Sequence, residues 1–202
     1  MAKSKVLLFN VKNLKYATKT LGVYGTPVDL AYAKQVTLEA DYSETTIYGD
    51  GEKLAVIPND KGKKGSIIVT AIDSVYEIAC GRAMTISGGL AEIEQLGSVE
   101  HAIYFEVDAV DEGVAKTYKN WLFNCTTGKA TETYSQNEDE ATINPYEYPL
   151  TVLGTNLRNT GDTADYVDAN GRTVKVFRLT SKPTDSGYDT FGATVPTPKQ
   201  AA

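Results

Sequence analysis

The stretch YSETTIYGDGEKLAVIPNDKGKKGSIIVTAID, residues 42–73, begins and ends with the pattern of β-strands. Near its end Ile67, Val69 and Ala71 recur at every second position, the period of a strand with one buried face. The residues from 49 to 65 are rich in glycine and charge, too polar for a core and too many for a tight turn. We therefore predict a long polar loop over 49–65 between two strands that pair with each other.

Length and composition bound the remaining possibilities. The chain has 202 residues, enough for one domain with a sizeable core, and its 13 tyrosines favour strands. A formal charge of −6 argues against gripping nucleic acid through its phosphates, which needs clustered Lys and Arg. No apolar run approaches a membrane span or a signal-peptide core. We expect a soluble protein made in the cytosol, with Cys80 and Cys125 buried and reduced.

Several segments alternate apolar and polar residues, which predicts strands with one buried and one wet face. The clearest are KQVTLEADY (34–42), SVEHAIYFEVDA (98–109) and KTYKNWLFNCTT (116–127). In the third, Trp121, Phe123 and Cys125 share one face. Such strands are typical of antiparallel sheets stacked in a sandwich, and we predict a mostly β, antiparallel β-sandwich.

One short helix is expected beside the sandwich. Residues 74–77, Ser-Val-Tyr-Glu, have the spacing of a capping box, in which the serine accepts a free backbone N–H at the helix start. Gly81 follows at a position where glycine ends helices. These signals predict a single flanking α-helix of about two turns.

The two ends of the chain differ in composition from the body. Residues 1–12 carry lysines and no acid, and we predict an N-terminal arm there. The sandwich domain would span 13–154. Residues 155–202 are rich in turn residues and poor in large apolar ones, which predicts a C-terminal arm. Within it Asn170-Gly171 predicts a β-hairpin with a type I′ turn.

The reactive side chains do not form a pattern that predicts an enzyme. His101 is the single histidine and lies on the apolar face of a strand, where a hydrogen-bonded core histidine is the favoured interpretation. Neither cysteine has a CxxC partner. The acidic run 138–140 lacks the ligand spacing and central glycine of a calcium loop. We expect no catalytic residue, no metal site and no cofactor.

Four motifs follow one another in an order that carries a family resemblance. They are NLKYA (13–17), VTLEADYSETTIYGDGEKLAVIPNDKGKKGSIIVTAI (36–72), HAIYFEV (101–107) and WLFNCTTGKATETYSQNEDEATINPYEYPLTVLG (121–154). In this order they resemble the major tail (tail tube) proteins of long-tailed bacteriophages, most closely the phi13-type family. Residues 48–51 stand where that family has Tyr-Ala-Asp-Asp, and Asn124-Cys125 where it has Asn-Cys. The likeness covers about 10–154, and residues 155–202 match nothing in it.

The resemblance implies a structural virion protein. Six copies would close into a ring, and rings would stack into a tail tube that conducts genomic DNA during ejection. The loop 49–65 would then project past the ring and contact the next ring through mixed charges and an apolar grip. Its expected contact residues are Tyr48, Asp50, Glu52, Lys53, Leu54, Val56, Ile57, Asp60, Lys61, Lys63 and Lys64.

The resemblance also implies partners and a location. The chain itself would be the main partner, with the tape measure protein inside the tube before ejection and the tail-tip and tail-terminator proteins at its ends. DNA would pass without specific binding, and no membrane is involved. The protein would assemble in the host bacterial cytoplasm and reside in the virion tail.

The charge pattern suggests roles for particular residues within such a tube. Glu39 and Asp41 lie on the wet face of a strand that the resemblance places toward the lumen, where an acidic lining would repel phosphate and keep DNA mobile. The outer surface of the tube is the alternative location for both residues. Lys3, Lys5 and Lys12, together with Lys15 and Lys19, are expected to contact acidic surface of a neighbouring copy.

Two other functions remain open from the sequence alone. Another virion ring or decoration protein would use the same sandwich and the same self-association. A carbohydrate-binding or adhesion β-sandwich would place some of the tyrosines in an exposed groove.

Overall fold

The computed structural model describes residues 6–111, 113–134, 145–161 and 164–200. Its fold is mostly β and antiparallel with one short helix, as predicted. The elements are β1 Leu7–Thr20, β2 Val23–Tyr24, β3 Val28–Asp29, β4 Ala33–Gly49, β5 Glu52–Val69, α1 Ser74–Ala79, β6 Ala83–Ile86, β7 Gly89–Glu92, β8 His101–Asp111, β9 Val114–Thr127, β10 Thr131–Glu132, β11 Tyr146–Val152, β12 Thr155–Asn156, β13 Lys175–Val176 and β14 Arg178–Ser181.

The main sheet runs in the order β2-β1-β8-β9-β11-β5-β4, with β3, β10 and β14 attached to β1, β11 and β9. It bends around its core, so that residues 8–11 of β1 and 34–36 of β4 line one cavity. The layers of the predicted sandwich thus have two origins. One sheet curves so that its two ends face each other, and the C-terminal segment covers the outside of that sheet. Hairpin β6–β7 and the pair β12–β13 form two smaller sheets.

The inner face of the sheet holds the larger core. Leu14, Ile67, Ile103, Leu150 and other buried residues of five strands form one apolar cluster. Alternation in β8 therefore predicted the buried face correctly for Ile103, which is fully buried. Burying each such side chain stabilises the fold by roughly 1.5–3 kcal/mol.

Helix α1 covers one side of this core and begins one residue earlier than the capping box predicted. Asp73 is the N-cap, and its Oδ1 accepts hydrogen bonds from the backbone N–H groups of Val75 (2.9 Å) and Tyr76 (3.1 Å). A carboxylate satisfies two free donors here, so Ser74 is the first helical residue rather than the cap. Gly81, with φ +67°, follows the helix as predicted.

A buried polar network lies beneath the helix. The guanidinium of Arg82 forms two hydrogen bonds to the carboxylate of Glu77, at 2.9 and 3.0 Å. The hydroxyl of Tyr76 contacts Nε2 of His101 at 3.0 Å and Oγ1 of Thr127 at 2.7 Å. His101 is thus the hydrogen-bonded core histidine that the sequence predicted, and Nδ1 contacts the carbonyl of Val99 at 2.9 Å.

Burial gives His101 a measurable effect on stability. It lowers the pKa of His101 to about 4 from the usual 6.5. Between pH 6.5 and 4 the unfolded chain binds a proton at this histidine and the folded chain does not. The free energy of unfolding therefore has its full value above pH 6.5 and decreases as the pH falls toward 4. We expect the free energy of unfolding, measured with urea, to fall between pH 7 and 4 by roughly 3 kcal/mol more in the native protein than in His101→Gln. Equal losses in both proteins would contradict this.

A bulge in β9 changes which residues face the core. Asn124 has φ +47°, and the pairing of β8 with β9 shifts register between His101 and Ile103. Trp121 and Phe123 therefore face outward, whereas Cys125 faces the inner core. The prediction that these three residues share one face is wrong, because a bulge inserts one residue and reverses the alternation. Cys125 and Cys80 are buried and free, as expected.

The C-terminal segment 164–200 forms a layer on the main sheet of its own chain. It packs Leu179, Phe191 and Val195 over Tyr104 and Trp121 on the outside of the sheet. Strand β14 pairs with β9 from Leu122 to Lys119, beyond the point where β11 ends. The prediction of an arm and of a wet outer face on β8 and β9 is corrected accordingly.

Specific hydrogen bonds fix this layer to the sheet. The indole Nε1 of Trp121 donates to the carbonyl of Phe191 at 2.8 Å, and the hydroxyl of Tyr188 donates to the carbonyl of Thr117 at 2.8 Å. Nζ of Lys119 donates to the carbonyl of Tyr188 at 2.9 Å. These bonds supply partners for polar groups that the apolar contacts bury.

The predicted hairpin in this segment is confirmed, with a different turn. Val167 pairs with Thr173, and the N–H of Gly171 donates to the carbonyl of Asp168. Gly171 has φ +78° whereas Asn170 does not have a positive φ, so the turn is not type I′. A three-residue loop with glycine in the left-handed conformation is the next most common hairpin connection.

Gly65 marks a place where two backbones approach too closely for a side chain. A Cβ on Gly65 would lie 1.9 Å from the carbonyl oxygen of Thr37 on the paired strand, whereas a Cβ on Gly97 would meet nothing. We expect Gly65→Ala to cost about 3 kcal/mol or more, because β4 and β5 must separate. Gly97→Ala should change stability by less than about 0.5 kcal/mol in the same denaturation assay. Similar values for both would refute the close approach.

Candidate assembly surfaces

Residues 49–65 are not a loop. Strands β4 and β5 pair from Ala33↔Val69 to Gly49↔Glu52, and only Asp50-Gly51 forms the turn. Both turn residues have positive φ, +50° and +83°, as a type I′ turn requires. The prediction of a long polar loop is therefore wrong, and the Asp-Gly pair was the sequence signal that a two-residue hairpin turn was present.

The outer part of this hairpin extends beyond the rest of the sheet. Strand β11 pairs with β5 only as far as Lys63, so residues 42–60, here called the distal hairpin, pair only with each other. From Tyr42 to Gly49 the distal hairpin is about 23 Å long at 3.3 Å per residue. Its two faces are mostly exposed, which explains why the sequence lacks a one-faced alternation there.

Large apolar side chains lie exposed on the distal hairpin. The exposed fractions are 68 % for Tyr48, 66 % for Leu54 and 51 % for Ile57. An isolated two-stranded hairpin is marginally stable in water, and exposed apolar strands are sites of association. The distal hairpin is thus a candidate surface for association with another chain.

The predicted inter-ring residues divide between the distal hairpin and its base. Eight of them lie on its outer part: Tyr48, Asp50, Glu52, Lys53, Leu54, Val56, Ile57 and Asp60. Lys61, Lys63 and Lys64 lie at the base, where Lys64 forms an ion pair with Asp41 at 3.0 Å. The base lysines therefore belong to the body of the fold rather than to the projecting surface.

Glu39 and Asp41 lie on the face of β4 opposite the core, as the alternation predicted. Neighbouring strands add Lys64, which pairs with Glu39 in register, and Glu147 of β11. These three carboxylates and one ammonium group give this outer face a formal charge of −2. Glu39 and Glu147 are exposed, whereas the ion pair with Lys64 compensates Asp41.

Two edges of the main sheet are open within the described residues. Strand β4 pairs with β5 alone, and β1 has no second neighbour from Leu7 to Asn13. Open edges present unpaired N–H and C=O groups that readily accept another strand. These edges are at opposite ends of the strand order.

The N-terminal lysines have partners within their own chain. Lys12 forms an ion pair with Asp108, Lys15 with Asp29 and Lys19 with Glu100, at 2.5, 3.3 and 2.9 Å. Strand β1 begins at Leu7 and pairs with β8, which brings these lysines beside acids of the body. The contact of Lys12, Lys15 and Lys19 with a neighbouring copy stays a prediction. Lys3 and Lys5 lie outside the described residues.

Apolar surface at the start of β1 was missed by the sequence analysis. Leu7, Leu8 and Phe9 are 69, 61 and 48 % exposed, although they form an apolar run. The run was considered only as a possible signal peptide. Three consecutive exposed apolar residues on an open-edged strand are a signal of association in their own right.

The described residues contain no cluster of His, Cys, Asp or Glu that could hold a metal ion. In the same part of the chain, no helix is long and apolar enough to cross a membrane. The acidic run 138–140, which was weighed as a calcium loop, lies outside the described residues. Comparison with models of known protein families and with curated proteins finds no match to this chain.

Proposed function

We propose that this chain is a structural virion protein whose copies form rings that stack into a phage tail tube. The observation that carries the proposal is the distal hairpin, a regular two-stranded element with exposed Tyr48, Leu54 and Ile57, to which no third strand of the described residues pairs. Self-association gives such an element a partner without requiring a second gene product. The family resemblance of residues 10–154 supports the same function.

Ring closure would use the open edges of the main sheet. The edge of β4 in one copy and the edge of β1 in the next both present unpaired backbone groups. Joining such edges around a closed ring removes them from solvent and continues the sheet from copy to copy. The exposed side chains of Leu7, Leu8 and Phe9 would be buried near the same junction.

Stacking of rings would use the distal hairpin. Its charged residues Asp50, Glu52 and Lys53 are exposed at the turn, next to the apolar side chains of Tyr48 and Leu54. Apolar side chains bordered by charged residues are usual in a specific protein interface. The opposite charges would fix the register of one ring on the next.

The tube would conduct DNA past the acidic face of β4, β5 and β11. With its formal charge of −2 per copy, this face would repel phosphate and avoid the counterion release that makes basic surfaces bind DNA. The tape measure protein would occupy the same lumen before ejection, and tail-tip and tail-terminator proteins would meet the two ends. The protein would reside in the virion after assembly in the bacterial cytoplasm.

Sedimentation velocity over a range of concentrations tests the proposal. We expect species much larger than the 21.9 kDa chain, with a share that grows as the concentration rises. A single monomeric species at every concentration, including millimolar protein, would exclude self-assembly. A carbohydrate-binding or adhesion module would behave in that way.

A further inference from the structure

Four polar side chains meet at one end of the sheet, next to the bulge in β9. Lys19, at the end of β1, extends across β8 to Asn124, and its Nζ lies 2.8 Å from Oδ1 of the amide. The same Nζ lies 2.9 Å from Oε2 of Glu100. The hydroxyl of Tyr24 donates to Oδ1 of Asn124 at 2.7 Å. An amine, an amide carbonyl, a carboxylate and a hydroxyl donor are therefore in direct contact.

Each of these groups has the chemical property that amide transfer needs. A lysine amine is a nucleophile once it is deprotonated, and a carboxylate at hydrogen-bond distance can take up its proton. A hydroxyl that donates to a carbonyl oxygen stabilises the negative charge which develops there during attack. The side-chain amide of Asn124 offers the carbon to be attacked and an amino group that can leave.

The local fold holds the amide in one orientation. Asn124 adopts φ +47° in the bulge, a conformation that asparagine tolerates better than most residues. Its Nδ2 donates to the carbonyl of Gly154 at 2.6 Å, and its backbone N–H donates to the hydroxyl of Tyr24 at 3.1 Å. Oδ1 therefore points at Lys19 and Tyr24. Bringing the reacting groups together in this way replaces a collision between two molecules by a step within one chain.

The surroundings differ between the two sides of the cluster. The Lys19 side chain is 20 % exposed, while Glu100 is 47 % exposed at the rim. Burial raises the pKa of Tyr24 to about 12, so its hydroxyl stays protonated and available as a donor. Lys19, Tyr24 and Asn124 also line a surface cavity, through which a released small molecule can reach solvent.

We propose that Lys19 and Asn124 form an intramolecular isopeptide bond. Glu100 takes a proton from the ammonium group of Lys19, and the free amine attacks Cγ of Asn124 while Tyr24 holds the oxygen. The new C–N bond forms, the bond from Cγ to Nδ2 breaks, and Glu100 returns its proton to the leaving nitrogen. Ammonia leaves, takes up the second proton of the attacking nitrogen and becomes an ammonium ion. The step needs no oxidant, metal or second protein, and it links β1 to β9 across β8.

Intact-mass spectrometry of the purified full-length protein tests this directly. We expect most chains to be lighter than the sequence mass by about 17 Da, the mass of the ammonia lost when an amine displaces an amide nitrogen. Tryptic digestion should give one branched peptide that joins the segments containing Lys19 and Asn124. Full sequence mass after prolonged incubation, with both segments recovered as separate peptides, would overturn the proposal.

Three variants separate this bond from other losses of ammonia, such as cyclisation at Asn170-Gly171. Lys19→Arg keeps a cation beside Glu100 but cannot form the bond, so it should retain the full mass and remain folded by circular dichroism. Glu100→Gln should slow the reaction at least tenfold, because it removes the proton acceptor. Asn124→Asp should lose about 18 Da instead, because water is then the leaving group. A mass loss of the native size that persists in Lys19→Arg would place the modification elsewhere and refute the assignment.

Discussion

The triple variant Tyr48→Ser, Leu54→Ser, Ile57→Ser is expected to fold as a monomer and to lose assembly. All three side chains are more than half exposed in the single chain, so their replacement should change monomer stability little, by about 0.5 kcal/mol each. In a stacked tube the exposed parts of these side chains would be buried. Scaled by the exposed fractions, this burial would contribute roughly 3–6 kcal/mol in total, so its loss should weaken association at least about a hundredfold.

Sedimentation of the triple variant beside the native protein and a matched control gives the measurement. Val167→Ser is a suitable control, since Val167 is 48 % exposed but lies on the C-terminal hairpin, away from the distal hairpin. The control should assemble like the native protein. Normal assembly by a folded triple variant would mean that the distal hairpin is not the contact between rings.

The second large effect concerns the passage of DNA. Replacing Glu39 and Glu147 by lysine changes the outer face of β4, β5 and β11 from a formal charge of −2 to +2 in each copy. Both residues are exposed and face away from the core, so folding and assembly should survive. The lining would then exchange counterions with phosphate along the whole tube, which makes DNA binding strong and steeply dependent on salt.

Assembled native and variant tubes can be compared in a DNA-binding assay and, in virions, by the rate of genome release. We expect Glu39→Lys/Glu147→Lys tubes to bind duplex DNA at low salt and to release genomes slowly, with recovery as salt rises. Glu94→Lys/Asp189→Lys makes the same change of charge on exposed residues outside β4, β5 and β11 and should release normally. Equal behaviour of the two variants would show that the β4 face does not line the lumen.

Periodic patterns predicted the parts of the fold in which one strand face is buried. The alternation in 98–109 correctly placed Ile103 and Phe105 in the core, and it placed His101 among buried neighbours. The interpretation of His101 as a hydrogen-bonded core residue and of both cysteines as buried thiols is confirmed. These predictions succeed because a strand with one buried face has apolar residues at every second position, and this spacing can be read from the sequence.

The distal hairpin could not be recognised from the same signal. Strands that project from the body have no buried face in the monomer, so Tyr48, Leu54 and Ile57 follow no single-faced period. Only the turn chemistry of Asp50-Gly51 marked the hairpin, and it was outweighed by the polarity of the surrounding residues. Strands that are buried only between copies carry apolar and polar residues on both faces, and such a sequence resembles that of a loop.

The C-terminal layer was missed for a different reason. Its contacts with the sheet come from a few separated residues, among them Leu179 and Phe191, that close over Trp121. Such a layer has no periodic pattern of its own, because turns rather than long strands connect its contacts. The bulge at Asn124 separates outward-facing Trp121 and Phe123 from Cys125 in the core, and a strict two-residue period does not predict such a bulge either.

Electron microscopy of the purified native protein at high concentration is the most direct test of self-assembly into a tube. We expect hollow tubes or closed rings of uniform diameter, with a continuous central channel. Images that show only dispersed particles of the size of one 21.9 kDa chain, under conditions in which the protein is folded, would contradict the proposed function.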